Sequence, residues 1–237
     1  MASVAIMQPY LFPYIGYMNL VYASDKFVFY DDVNFINKGW INRNRIILMN
    51  KPFRFTLPLK AKTQTKLIKD IEILDLKDFT EKFISQIDIS YKNSSNKNAV
   101  LTYIQNVLNS EKKYISDLAI SSVKFFFKYI GVEKEFFISS KKFSSTKKLH
   151  GIERLVSISK KLNCENYLNL IGGLSLYKKE DFKTKDVQLK FVKPSLLPYK
   201  QPNLNSDNFY PSLSIIDVMM NQSADEIRNQ LESYHLL

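Results

Sequence analysis

The 237-residue chain is poor in several residue types that common functional sites require. Its single cysteine, Cys164, excludes an internal disulfide and is typical of a reducing compartment. Two histidines, His150 and His235, give little support to a histidine metal cluster or a Ser-His-Asp triad. Six glycines supply little material for a glycine-rich phosphate loop. No apolar run is long enough to cross a bilayer, and residues 1–20 lack the basic segment of a signal peptide, so we expect a cytoplasmic protein.

Positive charge, in contrast, is abundant. Lysine and arginine number 34 against 23 aspartate and glutamate residues, for a net charge of +11. Such a charge attracts nucleic acid, anionic membrane or phosphorylated substrates. Because the lysines are spread along the chain and no nucleic-acid-binding motif is present, we assign most of this charge to solvated surface and do not expect a nucleic-acid partner.

The first 32 residues predict a strand, a loop, a helix and a second strand. Residues 4–7 form a short apolar run typical of a buried parallel strand, and two prolines make residues 8–13 a loop. A helix over residues 14–23 and a strand over residues 27–30 follow. In open α/β sheets ligands bind outside the carboxyl ends of the strands. We therefore expect Gln8 and the Asp31-Asp32 pair to lie at a ligand-binding edge.

A β-hairpin is predicted next, from residues 41–49 and 53–57, joined across residues 50–52. In an extended segment Arg43 and Arg45 lie on one side, and Asn42 lies on the other. Guanidinium forks match the paired oxygens of carboxylate and phosphate groups. The hairpin thus presents candidate anion-binding residues.

The adjacent carboxylates of Asp31 and Asp32 allow three roles. One of them can act as a general base if burial tunes its pKa. Adjacent carboxylates at a strand end also suit Mg²⁺, the one cofactor that the sequence suggests. Alternatively, they pair with the hairpin arginines, and such a paired cluster can still bind a ligand.

Residues 149–173 repeat the opening pattern, with a helix, a strand over residues 167–170 and a turn at Gly172 and Gly173. If the sheet is parallel, this turn lies at the same edge as Gln8. The two glycines allow backbone amides to approach an anion. The whole pattern predicts an α/β fold: a Rossmann-like, mostly parallel sheet with a β-hairpin insertion and C-terminal helices. We expect one domain over residues 1–237, with residues 33–98 as an inserted hairpin or lid region.

Several blocks, in order along nearly the whole chain, resemble the WbqC-like family. They are residues 8–17 (QPYLFPYIGY), 25–32 (DKFVFYDD), 39–45 (GWINRNR), Gly172-Gly173 with Leu176-Tyr177, and 210–217 (YPSLSIID). The family is associated with clusters that make bacterial surface polysaccharide, including O-antigen. The resemblance implies that context and no particular reaction.

The opening is also similar to that of Rossmann-like nucleotidylyltransferases. Those enzymes place two histidines in the first loop to stabilise phosphate charge, where this chain has Pro13 or Tyr14, and Tyr17. Tyrosine carries no positive charge at neutral pH, which puts nucleotidyl transfer in doubt. Arg43 and Arg45 could supply the charge instead.

Together these observations predict a transferase of surface-polysaccharide biosynthesis that modifies a nucleotide-linked amino sugar with an acyl or aminoacyl group. The alternative is a non-catalytic protein that binds a nucleotide sugar or an assembly partner on a nucleotidylyltransferase-like scaffold. Asp32 and Asp31 are the catalytic candidates. The predicted substrate-binding residues are Gln8, Tyr14, Asn42, Arg43, Arg45, Gly172, Gly173 and Tyr177.

Overall fold

The computed structural model describes residues 1–60, 65–108, 111–202 and 209–237. The strands within these ranges are Ser3–Met7 (β1), Lys26–Phe29 (β2), Arg43–Leu48 (β3), Lys51–Thr56 (β4), Glu135–Ile138 (β5), Asn166–Leu170 (β6), Gln188–Pro194 (β7) and Tyr234–Leu236 (β8). The helices are Ile15–Ala23 (α1), Leu76–Ser90 (α2), Lys97–Leu108 (α3), Ile115–Tyr129 (α4), Ser139–Lys142 (α5), Gly151–Lys161 (α6), Lys179–Lys183 (α7), Ile215–Asn221 (α8) and Ala224–Glu232 (α9). Short 3-10 turns cover Ile68–Asp70, Ser144–Thr146 and Ile171–Ser175.

The central sheet has the strand order β5-β2-β1-β6-β7-β8. Its first five strands run parallel, and β8 pairs antiparallel with β7. The chain moves outward from β1 through β2 to β5 and then returns to the other side of β1 with β6. The strand order therefore reverses between β1 and β6, which confirms the predicted Rossmann-like parallel sheet and creates a switch point at their carboxyl ends.

Both faces of the sheet are covered, as a parallel sheet requires. Val4 and Ile6 of β1 pack with Leu155 and Ile158 of α6 in one apolar cluster. Ala5, between them, belongs to a second cluster on the opposite face, which includes Tyr17 of α1. Alternate residues of one strand thus join two separate cores, which explains why the sequence of β1 is apolar throughout.

The predicted hairpin is confirmed as the antiparallel pair β3–β4, which forms a sheet of its own. Its connection differs from the prediction. The turn is Met49 and Asn50, both with positive φ (49° and 62°), and Lys51 and Pro52 already belong to β4. Two consecutive residues with positive φ match the twist of a tight hairpin turn.

The C-terminal helices are present as predicted, and α8 packs against α3 and β3 while α9 packs against α1. In α8 the buried carboxylate of Asp217 accepts hydrogen bonds from the hydroxyls of Tyr91 and Tyr199, each at 2.6 Å. Burial raises the pKa of Asp217, and these hydrogen bonds oppose that shift. At the end of α9, Asn19 Nδ2 donates to the carbonyl oxygen of Gln230 at 2.8 Å and so joins α1 to α9.

In the part of the chain that the structure describes, every helix is too short or too polar to cross a membrane. The described part of residues 33–98 is joined to the segments that follow β1 and β2 by backbone hydrogen bonds from the Leu11 amide to the Ile41 carbonyl oxygen, at 3.0 Å, and from the Lys69 amide to the Asp31 carbonyl oxygen, at 2.9 Å. The single-domain organisation and the lid role of this region stay predictions.

Candidate ligand-binding site

A cavity of about 670 Å³ opens at the carboxyl ends of β1, β2 and β6, where the strand order reverses. Met7 and Gln8 line it at the end of β1, Tyr30 follows β2, and Asn169 and Leu170 end β6. Small-molecule sites typically occupy roughly 300–1,000 Å³. Both the size and the position are therefore those of a ligand-binding crevice in an open α/β sheet.

Aromatic side chains form much of the cavity wall: Tyr10, Tyr14, Tyr30, Trp40 and Tyr177. Burial raises the pKa of each of the four tyrosines, and for Tyr30 the nearby Arg154 opposes the shift. The hydroxyls therefore stay neutral at physiological pH and can donate hydrogen bonds. Flat rings of this kind stack well on a planar base or on the apolar face of a sugar.

Arg45 is the one charged residue among the described residues that line the cavity. Its guanidinium carbon lies 5.9 Å from the centre of the Trp40 ring, and that of Arg43 lies at 5.5 Å. The Nε atoms of both arginines are buried and have no hydrogen-bond partner within the described ranges. The positive charge of Arg45 at the wall favours an anionic ligand in this corner of the cavity.

A third arginine, Arg54, lies near Arg45 on the hairpin but is not among the residues that line the cavity. Arg45 stands directly opposite Arg54, so their side chains leave the same face of the hairpin. None of Arg43, Arg45 and Arg54 forms an ion pair with any described residue. Like charges directly opposite each other are destabilising, and a bound anion would relieve that repulsion.

The loop after β1 is held rigidly by the rest of the fold. Phe12 adopts a positive φ of 46°, and its amide donates to Ser122 Oγ at 3.1 Å. The Phe12 carbonyl oxygen accepts from Asn44 Nδ2 and from Ser214 Oγ, each at 2.8 Å. The Gln8 side chain, in contrast, forms no hydrogen bond with the described residues. Its amide is thus presented on a fixed backbone and is free to contact a ligand.

Two glycines let side chains close over the cavity. A Cβ atom on Gly16 would overlap the ring of Tyr14, which folds over the start of α1. A Cβ atom on Gly173 would lie 2.6 Å from Asn169 Nδ2. Each glycine therefore allows a wall residue to take its observed position.

Asp31 and Asp32 lie next to the sheet edge but outside the cavity lining. Asp31 accepts from the Ser140 amide at 2.9 Å and from the Ser140 hydroxyl at 2.6 Å. Asp32 Oδ2 forms a 2.5 Å ion pair with Arg154, and both side chains are almost completely buried. Ser139 Oγ lies 2.5 Å from Asp32 Oδ1 and 2.9 Å from Asp31 Oδ1. All four carboxylate oxygens therefore have hydrogen-bond partners.

Comparison with known proteins agrees with the residue pattern. A model of the WbqC-like protein family matches residues 8–229 of the chain. The chain belongs to the WbqC-like protein family. An uncharacterized protein of Mycobacterium tuberculosis, Rv1507c, is 37% identical over 62 residues, which make up 26% of this chain and 27% of that protein. The match thus spans about a quarter of that relative's length. No solved structure matches the chain.

In this WbqC-like fold, most of the predicted substrate-binding residues meet in one place. Those that line the cavity are Gln8, Tyr14, Arg45, Gly172, Gly173 and Tyr177. Asn42 instead points into the hairpin, where its Nδ2 donates to the Leu57 carbonyl oxygen at 2.7 Å. Arg43 does not line the cavity, but its guanidinium lies over the ring of Trp40, which does. The substrate-binding assignments themselves stay predictions.

The predicted pairing of the two aspartates with the hairpin arginines is wrong, because Arg154 is the partner of Asp32. Their donor set does not fit Mg²⁺ either, since each carboxylate oxygen already accepts a hydrogen bond and one faces a guanidinium. No group of three or more His, Cys, Asp or Glu residues suited to a metal occurs within the described ranges. The catalytic role of Asp31 and Asp32 stays a prediction that their contacts do not favour.

Sequence reasoning missed several residues of this region. Arg154 lies on the buried face of α6, one turn before Ile158, and its guanidinium carbon is 4.8 Å from the centre of the Tyr30 ring. It thus connects the aspartate cluster to a wall of the cavity. The position of an arginine one turn from an apolar helix residue was the available signal. Asn169 also lines the cavity, and nothing in its sequence context distinguishes it.

Proposed function

We propose that this WbqC-like protein binds a nucleotide-linked amino sugar in the switch-point cavity and transfers an acyl or aminoacyl group to it, as a step of bacterial surface-polysaccharide biosynthesis. The observation that carries the proposal is the group of unpaired arginines beside Trp40 at the cavity wall. The polysaccharide context is the one that the family resemblance implies.

Each part of a nucleotide-linked sugar has a matching group in the cavity. The diphosphate suits Arg45, whose fork can donate two parallel hydrogen bonds to phosphate oxygens. The base and the sugar suit the ring faces of Tyr14, Trp40 and Tyr177. The side-chain amide of Gln8 can hydrogen-bond sugar hydroxyls. A free phosphate would make no contact with the aromatic walls. The combination of an arginine, aromatic rings and a side-chain amide therefore favours a nucleotide-linked sugar over free phosphate.

The transfer step would depend mainly on positioning. The neutral sugar amine attacks the carbonyl carbon of an activated acyl donor, and a carbon–nitrogen bond forms. The bond from that carbon to the leaving group breaks, and the departing group takes up the proton that the amine loses. Holding the two reactants together supplies a large part of such a rate enhancement. The neutral hydroxyls of Tyr14 and Tyr30 can donate hydrogen bonds to the oxyanion that develops on the donor.

A second candidate, a non-catalytic nucleotide-sugar-binding protein, is favoured by one specific observation. Among the described residues that line the cavity there is no carboxylate, histidine, lysine or cysteine. A general base is therefore missing from this part of the site, and Asp31 and Asp32 are held in their own hydrogen-bond cluster.

Thermal-shift titration tests the binding part of the proposal. UDP- and dTDP-linked sugars, ATP, CTP and free amino sugars are each added with and without Mg²⁺, because a ligand that binds only the folded state raises the Tm. We expect a selective shift with a nucleotide sugar that Arg45→Ala removes. Lys51→Ala is the matched control, since Lys51 is an exposed cation on the same hairpin that does not line the cavity. Equal shifts for Arg45→Ala and the unchanged protein would contradict the proposal.

Turnover separates the two candidates. The nucleotide sugar that binds is incubated with activated acyl and aminoacyl donors, and its mass is measured. A mass increase that depends on Arg45 supports the transferase. Recovery of unmodified sugar with every donor supports the binding protein. A Tm shift with ATP or CTP alone would instead point to nucleotidyl transfer.

A further inference from the structure

The rim of the cavity carries large apolar side chains that water can reach. Leu176, Ile36 and Trp40 all line the cavity mouth and are 71%, 50% and 45% exposed. Leu174, in the 3-10 turn just before Leu176, is 51% exposed. The first three line one cavity, and Leu174 lies beside it in the chain, two residues before Leu176. We refer to these four residues as the rim, with one side at residues 36–40 and the other at residues 174–176. An apolar rim of this kind marks an interaction surface.

The same rim is flanked by positive charge. The exposed residues Lys38 and Lys178 lie two positions after Ile36 and Leu176, and neither forms an ion pair with a described residue. Residues 33–48 and 166–179, which contain the two sides of the rim, include no aspartate or glutamate. The nearest acidic residues on the second side, Glu180 and Asp181, follow in α7. A surface that combines exposed apolar side chains with an excess of cations matches an apolar layer bordered by negative charge.

We propose that this rim docks on an anionic lipid bilayer, so that the cavity opens at the lipid–water interface. Leucine and isoleucine side chains insert below the headgroups, and the amphipathic Trp40 ring lies at the headgroup level, where tryptophan is enriched. The lysines contact anionic headgroups. A second copy of the chain is a poor match for this surface, because each copy would bring the same cationic rim and a net charge of +11.

Trp40 supplies a direct test, because it is the one tryptophan of the chain. The probes are vesicles of phosphatidylcholine alone and of phosphatidylcholine with phosphatidylglycerol, prepared with and without brominated acyl chains. With the anionic vesicles we expect a blue shift of Trp40 emission, quenching by the brominated lipid, and weaker binding at high salt. Binding to neutral vesicles as tight as to anionic ones would contradict the proposal.

Variants test whether the rim makes the contact. The double variant Leu174→Ser with Leu176→Ser removes two exposed side chains and is expected to weaken vesicle binding about tenfold or more. Ile89→Ser is the matched control, because Ile89 on α2 is 61% exposed and does not line the cavity. Vesicle binding by the double variant equal to that of the Ile89 control would overturn the proposal.

Two further results would also overturn it. One is the absence of any spectral change with anionic vesicles. The other is a blue shift that grows with protein concentration in the absence of lipid, which would identify a second copy as the occupant of the rim. The nucleotide-sugar titrations contain no lipid, so failure of either proposal leaves the other standing.

Discussion

The buried ion pair between Arg154 and Asp32 permits a stability prediction. Their side chains are 4% and 2% exposed. Arg154→Met removes the guanidinium and leaves an uncompensated carboxylate in the interior, which costs about 3–5 kcal/mol. A domain of this size loses roughly 2–4 °C of Tm per kcal/mol. We therefore expect the Tm to fall by roughly 6–20 °C.

Urea unfolding of a double-mutant cycle measures the coupling. Asp32→Asn alone leaves the guanidinium of Arg154 buried without its partner and is also expected to destabilise the fold. The combined variant retains neither charge, so its loss of unfolding free energy should be smaller than the sum of the two single losses, by about 0.5–3 kcal/mol. The sequence alone predicts instead that Asp32→Asn abolishes turnover and leaves folding intact, so the same variant distinguishes the two roles.

A surface ion pair provides the control. Lys82 and Asp78 pair at 2.8 Å on α2 with side chains 72% and 53% exposed. Lys82→Ala should leave the unfolding free energy nearly unchanged, because water screens such pairs. If the unfolding free energy of Arg154→Met lay within about 1 kcal/mol of that of the unchanged protein, the reasoning would be refuted, since a buried unpaired carboxylate should destabilise the fold by more than that.

Two further predictions concern other parts of the fold. Gly16→Ala forces the Tyr14 ring to move, so thermal-shift titration should show weaker nucleotide-sugar binding at a nearly unchanged Tm of the free protein; unchanged binding would contradict the role of this ring. The raised pKa of buried Asp217 means that the folded state binds its proton more tightly than the unfolded chain, so the associated stability is present at acidic pH and is lost as pH rises through the folded pKa. The Tm of the unchanged protein minus that of Asp217→Asn should therefore fall as the pH rises above the ordinary aspartate pKa, and a rising difference would show that the hydrogen bonds from Tyr91 and Tyr199 outweigh burial.

The sequence predicts the sheet well because local signals determine it. Short apolar runs mark the parallel strands, and the prolines after Met7 end the first one. Strand ends in a parallel sheet meet at one edge, which is how residues as distant as Gln8 and Gly173 could be assigned to one site. The alternation of side chains in β3 likewise predicts that Arg43 and Arg45 share a face opposite Asn42.

The direction of individual polar side chains could not be predicted in the same way. Asp32 lies at a strand end, as expected, but its orientation depends on Arg154, which is 122 residues away. Such a partner leaves no local trace in the sequence. The hairpin turn shows a similar limit, since Asn50 and Pro52 suggest a longer connection than the two-residue turn that the strand pairing selects.

Calorimetric titration with the nucleotide-linked sugar that gives the largest thermal shift tests the central claim most directly. Loss of charge-assisted hydrogen bonds from Arg45 should weaken binding by about 1.5–3 kcal/mol, or roughly 10- to 150-fold in Kd. Arg45→Ala should show that loss, and Lys51→Ala should bind like the unchanged protein. Equal affinity of Arg45→Ala and the unchanged protein, or no heat of binding with any nucleotide sugar, would contradict the assignment of the switch-point cavity as a nucleotide-sugar site.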